Sequence, residues 1–330
     1  MSRAHTIRRV VFTVACVVCA LIPLSAIQDP VKNQSPNRIA VVRADGTVVP
    51  FAQYKKGRWT SIWSGIEQRG HALPLAMDDV DRGWWGDGGP ALEWWLWQKP
   101  GIATRLDVAG IRVVATPCSA EAGLATGFRA EGTLPATEVT PYPKAGFATT
   151  APVDFEPVVP LPRESAAWTS VKDAVARHFD GHERSALVEM AWAHPTPARE
   201  RRKALIDLQA VWHVPGARFY YFEAMRRYPE RETPSGERPC DLVTYVAGYF
   251  WDDGKGQLHP RFVNALVSYC HLEGAVFMWP LGSILDGARR YWILQSAGWT
   301  GEAYGILELD HQRGQIRQHV WHRAGECDTR

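Results

Sequence analysis

Several common chemical signatures are missing from this chain of 330 residues. No serine sits on a Gly-x-Ser-x-Gly turn, and the order "WSG" at residues 63–65 lacks the upstream glycine that such a nucleophile turn requires. The metalloprotease order His-Glu-x-x-His is absent, and no glycine-rich phosphate loop opens a helix. Strands do not alternate with helices, so a nucleotide-cofactor enzyme is a poor candidate and no cofactor is expected. An excess of either charge is also lacking. The chain carries 37 basic and 35 acidic residues, and cutting after Ala26 removes Arg3, Arg8 and Arg9, leaving 34 against 35. A charge so near zero offers no global field for nucleic acid. The densest basic run, "ARERRK" at 198–203, reads as a solvated helix face.

Long apolar runs are scarce too, with one exception at the N-terminus. Residues 1–26 place three arginines before an uncharged apolar core at 10–22, and Ser25-Ala26 provides small residues for cleavage. This order is that of a secretory signal peptide, and the apolar run is short for a bilayer span. An uncleaved anchor is the alternative. A lipoprotein reading on Cys16 or Cys19 fits less well, because Cys16 has too little apolar segment before it and Val18 is a poor residue before Cys19. The expectation is a secreted or periplasmic protein with no stable membrane span after cleavage.

Cysteine is sparse in the remainder. Cys118, Cys240, Cys270 and Cys327 lie in no Cys-x-x-Cys pair, which removes zinc-ribbon and thioredoxin readings. Four cysteines in an exported chain suggest two disulfides, with three possible pairings. Four buried thiols are the simpler alternative.

Proline is concentrated instead of spread. Residues 133–163 hold seven prolines and read as an extended linker or strap, excluded from helices and central strands. Before it, residues 36–132 carry strand patterns: a hairpin at Asp45-Gly46, a second at Ala109-Gly110, and the aromatic strand "ALEWWLWQ". After it, residues 164–330 begin with two predicted helices. The first ends near Gly181, and the second runs from Thr196 to Pro215-Gly216 with Leu205, Leu208 and Trp212 inward. Seven strand-like segments separated by short turns follow. The fold class expected is mostly β: an N-terminal antiparallel sandwich or barrel, the proline-rich segment, two helices and a C-terminal antiparallel meander.

Tryptophan is the residue present in excess, at fifteen. In "WWLW", Trp94 and Leu96 point to one strand face and Trp95 and Trp97 to the other, so both faces are apolar. Trp84 and Trp85, in the loop "DDVDRGWWGDGG", together with Trp251 and Trp299, are candidate stacking platforms for a sugar or another apolar-faced ligand. Core packing is the competing reading. In the same loop Asp79 and Asp81 alternate like calcium ligands, but Gly83 occupies the next ligand position, so the helix–loop–helix motif fails. A looser calcium site on Asp78, Asp79, Asp81 and Asp87 competes with an ordinary glycine-containing surface loop, and no metal is expected. His178 and His182 have helical spacing, but Asp180-Gly181 is expected to separate them. His319 and His322 are placed on opposite strand faces.

Among carboxylates, Glu223 stands within the aromatic "YYFEAM", Asp252 beside Trp251, and Glu302 between Trp299 and Tyr304. A glycan hydrolase would need two of them facing one sugar, one kept protonated by apolar surroundings. Alternatively Glu223 pairs with Arg226 or Arg227, and the others are turn and strand-end residues. The functional expectation is an exported, non-catalytic envelope or extracellular binding module for a glycan, cell-wall component or partner protein. A secreted carboxylate-dependent hydrolase and a purely structural scaffold are the alternatives.

Overall fold

Three antiparallel sheets and one long helix stack in four layers in the computed structural model. It describes residues 38–62, 77, 85, 90–99, 101–115, 120–134, 141–228, 241–269, 275–298 and 301–324. All belong to one compact unit, residues 33–330. Among them no helix is long and apolar enough to cross a membrane.

The first sheet contains β1 (Arg38–Arg43), β2 (Val48–Lys55), β3 (Arg58–Ser61), β4 (Glu93–Lys99), β5 (Ile102–Ala115), β6 (Ala120–Thr126) and β7 (Lys144–Thr149). Because β1 pairs with both β7 and β2, strands β1-β7-β4-β5-β6-β2 close into a ring, with β3 attached to β2. The β1–β2 hairpin turns at Asp45-Gly46 as its sequence requires. Gly46 has φ +84°, and a Cβ there would lie 1.9 Å from the Phe128 carbonyl oxygen. The second predicted hairpin does not form. Residues 102–115 are one strand with a bulge at Ala109, pairing with β4 up to Asp107 and with β6 from Val108 onward. An Ala-Gly step can be taken up as a bulge, which bends a strand without reversing it.

The proline-rich segment contributes to all three sheets. Its proline-free stretch forms β7, a central strand between β1 and β4 and a departure from the expected exclusion. The chain then adds β8 (Asp154–Glu156) to one meander sheet and β9 (Val159–Pro160) to the other, each at a sheet edge where proline is tolerated.

Helix α1 (Ala166–Glu189) starts at Ser165, whose side chain accepts the Trp168 amide. It runs straight through Gly181, where the sequence reading expected a stop. The buried stripe Trp168, Val171, Val175, Phe179 extends to Glu183 and Ala186, and its contacts outweigh the roughly 1 kcal/mol cost of one helical glycine. The second predicted helix shrinks to α2 (Ala198–Arg201), and its remainder is strand β10 (Ile206–His213). Leu208 is buried there, but Leu205 is 89% exposed rather than inward. Pairing along β11 supplies ladder hydrogen bonds that override helical propensity.

Strands β10, β11 (Phe219–Tyr228), β12 (Leu242–Asp252) and β13 (Leu258–Tyr269) form one meander. Strands β14 (Phe277–Asp286), β15 (Arg289–Ala297), β16 (Glu302–Asp310) and β17 (Gln315–Ala324) form the other. The second lies between the ring and the first, so β15 is apolar on both faces. Tyr291 and Ile293 join the core shared with the ring, while Trp292 and Leu294 join the core shared with the β10–β13 sheet. Helix α1 covers the far face of that sheet, over Phe222, Ala224, Val246 and Phe250. Burying each such aromatic contributes on the order of 3 kcal/mol.

Candidate functional site: an aromatic cleft between the meanders

The two meander sheets do not meet along their full length. A cleft of about 470 Å³ opens between them, walled by Tyr221 of β11, Ala247 to Tyr249 of β12, Phe262 to Asn264 of β13, Val276 and Met278 near β14, and Gln318 and Trp321 of β17. The Tyr221 and Tyr249 rings lie 5.3 Å apart, and the Tyr249 hydroxyl lies 3.1 Å from the Met278 sulfur. The amides of Asn264 and Gln318 are exposed. The wall is therefore mostly apolar, with a few polar groups that can orient a ligand.

The backbone at the cleft is strained. Ala247 pairs with Asn264 and Tyr249 with Arg261, so Gly248 alone opposes both Phe262 and Val263. Phe262 takes φ +45° and leaves its ring 57% exposed beside the cleft. A bulky residue in left-handed backbone costs about 1–2 kcal/mol, and a bulge re-aims side chains near binding sites.

Glu223 lies immediately behind this wall. Its Oε1 accepts the Tyr221 hydroxyl at 2.8 Å and the Met278 amide at 3.2 Å. Burial raises its pKa, opposed by those hydrogen bonds. Burial also holds the Tyr221 hydroxyl far above its ordinary value, so it stays a neutral donor. Neither arginine proposed as a partner pairs with Glu223. Arg226 projects from the opposite face of β11 to Asp180 at 2.8 Å, and Arg227 is exposed. Among the described residues Glu223 forms no ion pair.

The other carboxylates are occupied elsewhere. Asp252 accepts the Gly254 amide at 2.7 Å and shapes the β12–β13 turn. Glu302 is buried with Lys144 at 2.9 Å and also accepts Gln295 and Tyr304. It borders a smaller hollow of about 170 Å³ that shares Val276 and Trp321 with the main cleft and also contains Arg323. Of the three candidates, Asp252 is therefore engaged in a turn and Glu302 in an ion pair at the adjoining hollow.

Of the proposed platform tryptophans, Trp85 is buried in the core shared by the ring. Trp251 packs beside His259 and Arg261 and donates to the His311 carbonyl at 3.2 Å, away from the cleft wall. Trp84, Trp299, Asp78, Asp79, Asp81, Asp87 and the cysteines Cys118, Cys240, Cys270 and Cys327 lie outside the described residues.

Two histidine expectations are corrected. Because α1 continues, His178 and His182 do share a side, with rings 6.5 Å apart. A bulge at His319 turns both His319 and His322 toward the ring: His319 contacts Tyr291 and Glu308, and His322 stacks on Tyr304. Among the described residues no group of three or more potential ligands is arranged around a metal position.

Sequence reasoning missed Phe262, Tyr249, Met278 and Trp321 as site residues. One readable sign was Gly248 inside a strand pattern, since an isolated strand glycine marks a bulge or a close backbone approach. Comparison of the chain with family models, with curated proteins and with solved structures finds no match in any of the three.

Proposed function

We propose that the protein is an exported, non-catalytic binding module whose inter-sheet cleft holds one apolar-faced unit of a glycan or cell-wall fragment. The observation that carries this reading is a cleft whose accessible aromatic rings are Phe262 and Trp321, backed by the buried Tyr221, Tyr249 and Met278 and edged by the Asn264 and Gln318 amides. Aromatic faces pack against the C–H face of a sugar ring while amides bond its hydroxyls. Strain at Phe262 supports the same assignment, because such strain persists where a side chain must be held in place. Export rests on the N-terminal order of arginines, apolar core and small residues.

Hydrolysis is the second reading, and Glu223 is what favours it: a carboxyl with a raised pKa beside a cleft has the character of a general acid. Against it, Glu302 is tied to Lys144 and Asp252 to a turn, so neither supplies the partner carboxylate.

Tryptophan emission titrated against soluble glycans and cell-wall fragments, with product analysis of each mixture, tests the proposal. A saturable shift without product is expected. Product formation transfers the assignment to the hydrolase, and no shift with any ligand leaves the scaffold reading.

A further inference from the structure

We infer that the cleft selects a ligand bearing an organic ammonium group, held by the aromatic wall and neutralised by Glu223. This inference rests on the binding-module reading and specifies the chemistry the cleft recognises. Three observations converge on it. Aromatic rings line the cleft, with Phe262 and Trp321 accessible and Tyr221 and Tyr249 buried in its wall, and ring faces carry the negative lobe of the aromatic quadrupole that attracts cations. Among the described lining residues there is no lysine, arginine or histidine, so nothing at the wall repels a cation. The smaller neighbouring hollow differs, because Arg323 lies in it.

The third observation is Glu223. Three other buried or half-buried carboxylates have cations beside them: Glu183 has Arg201, Glu302 has Lys144, and Glu156 has Arg290. Glu223 has only neutral donors, the Tyr221 hydroxyl and the Met278 amide on Oε1 and the Tyr245 hydroxyl beside them. A carboxylate removed from water and given no counter-ion is unfavourable as an anion. A cation delivered by the ligand removes that penalty, so the missing charge and the aromatic wall point to one chemistry. An alkylated ammonium fits best, since its methyl groups pack against apolar walls while its charge meets the rings. Such a group occurs on small solutes and on lipid headgroups.

The test compares choline with dimethylbutanol, its uncharged carbon isostere, on the full chain, reading tryptophan emission. Choline is expected to bind at least about tenfold more tightly. Glu223→Gln is expected to reduce choline affinity by about tenfold and leave the isostere unchanged. The wild-type pair of ligands requires no variant, so a misfolded Glu223→Gln protein does not remove the test. Co-sedimentation with phosphatidylcholine vesicles, against phosphatidylglycerol vesicles, separates the sources: retention on the former assigns a headgroup, and binding of free choline alone assigns a small solute. Equal affinity for choline and its isostere overturns the inference and leaves the cleft as an apolar site. Binding of a neutral glycan with no binding of choline does the same. If no probe binds, the inference and the binding-module reading both fail.

Discussion

A Cβ built on Gly248 would lie 2.7 Å from the Cα of Val263, closer than side-chain atoms approach a backbone. The bulge that presents Phe262 to the cleft therefore depends on a missing side chain in the neighbouring strand. Gly248→Ala is expected to cost about 2 kcal/mol through overpacking and to disturb the cleft wall. Urea denaturation checks the stability, and the same protein should bind any cleft ligand less tightly. An unchanged midpoint would show that the two strands separate easily and that the bulge is not held by this contact.

Phe262 leads to the opposite expectation. Asparagine tolerates left-handed backbone far better than phenylalanine, and the Phe262 ring is largely exposed, so little packing is lost. Phe262→Asn is expected to stabilise the fold by about 1 kcal/mol and to weaken ligand binding. Loss of stability in the denaturation midpoint would mean that the ring supports the fold.

Glu183 of α1 ties the helix to the sheet beneath it. Its carboxylate accepts Thr244 at 2.7 Å and Arg201 at 2.8 Å, and also the Tyr228 hydroxyl. Burial acts to raise its pKa, but these hydrogen bonds and the Arg201 charge prevail and lower it. A carboxylate depressed in the folded state stabilises above its unfolded pKa and loses that contribution as pH falls through the folded value. Glu183→Gln should therefore be less stable than wild type at neutral pH, by about 3 kcal/mol. The gap should close as pH drops below about 4. Denaturation midpoints of both proteins across that range decide it, and a gap independent of pH would contradict the linkage.

His322 acts in a different window. The imidazole is 4% exposed, stacks on Tyr304, and leaves Nε2 without a partner, and burial lowers its pKa to about 4. The unfolded chain takes up a proton near the ordinary value of about 6.5 while the folded chain does not, so stability falls as pH drops from there toward 4. The full effect is up to about 3 kcal/mol. His322→Leu removes the titrating ring and should flatten that part of the stability–pH curve. A variant as steep as wild type would place the acid sensitivity elsewhere, with His311, also lowered to about 4, the next candidate.

Much of the fold was legible because local patterns coincide with tertiary demands. All seven strands from β11 to β17 follow β-rich runs bounded by turns, and the Asp45-Gly46 hairpin forms as read. Failures occurred where a long-range partner decided the outcome. Residues 206–213 have helical spacing, but β11 is available to pair with them. Gly181 resembles a helix stop, but the Glu183 network lies beyond it. The site was less legible than the fold. Glu223 was identified through its aromatic neighbours on one strand, a local property. Trp321 and Phe262 were not, because they reach the cleft from two sheets and their meeting depends on the bulge opposite Gly248. Among the described candidates, the tryptophans singled out for their loop or strand-end positions belong to packing instead.

The central claim is that the cleft is a ligand site and Trp321 its reporter. Its most direct test is one titration performed in parallel on wild type and Trp321→Leu, with the glycan panel and choline as ligands, calorimetry giving the affinity of both proteins and tryptophan emission recorded on wild type. The account predicts a saturable shift in wild type, an affinity at least about tenfold lower in the variant, and no released product. Equal affinity in both proteins, or no shift in wild type, would contradict it.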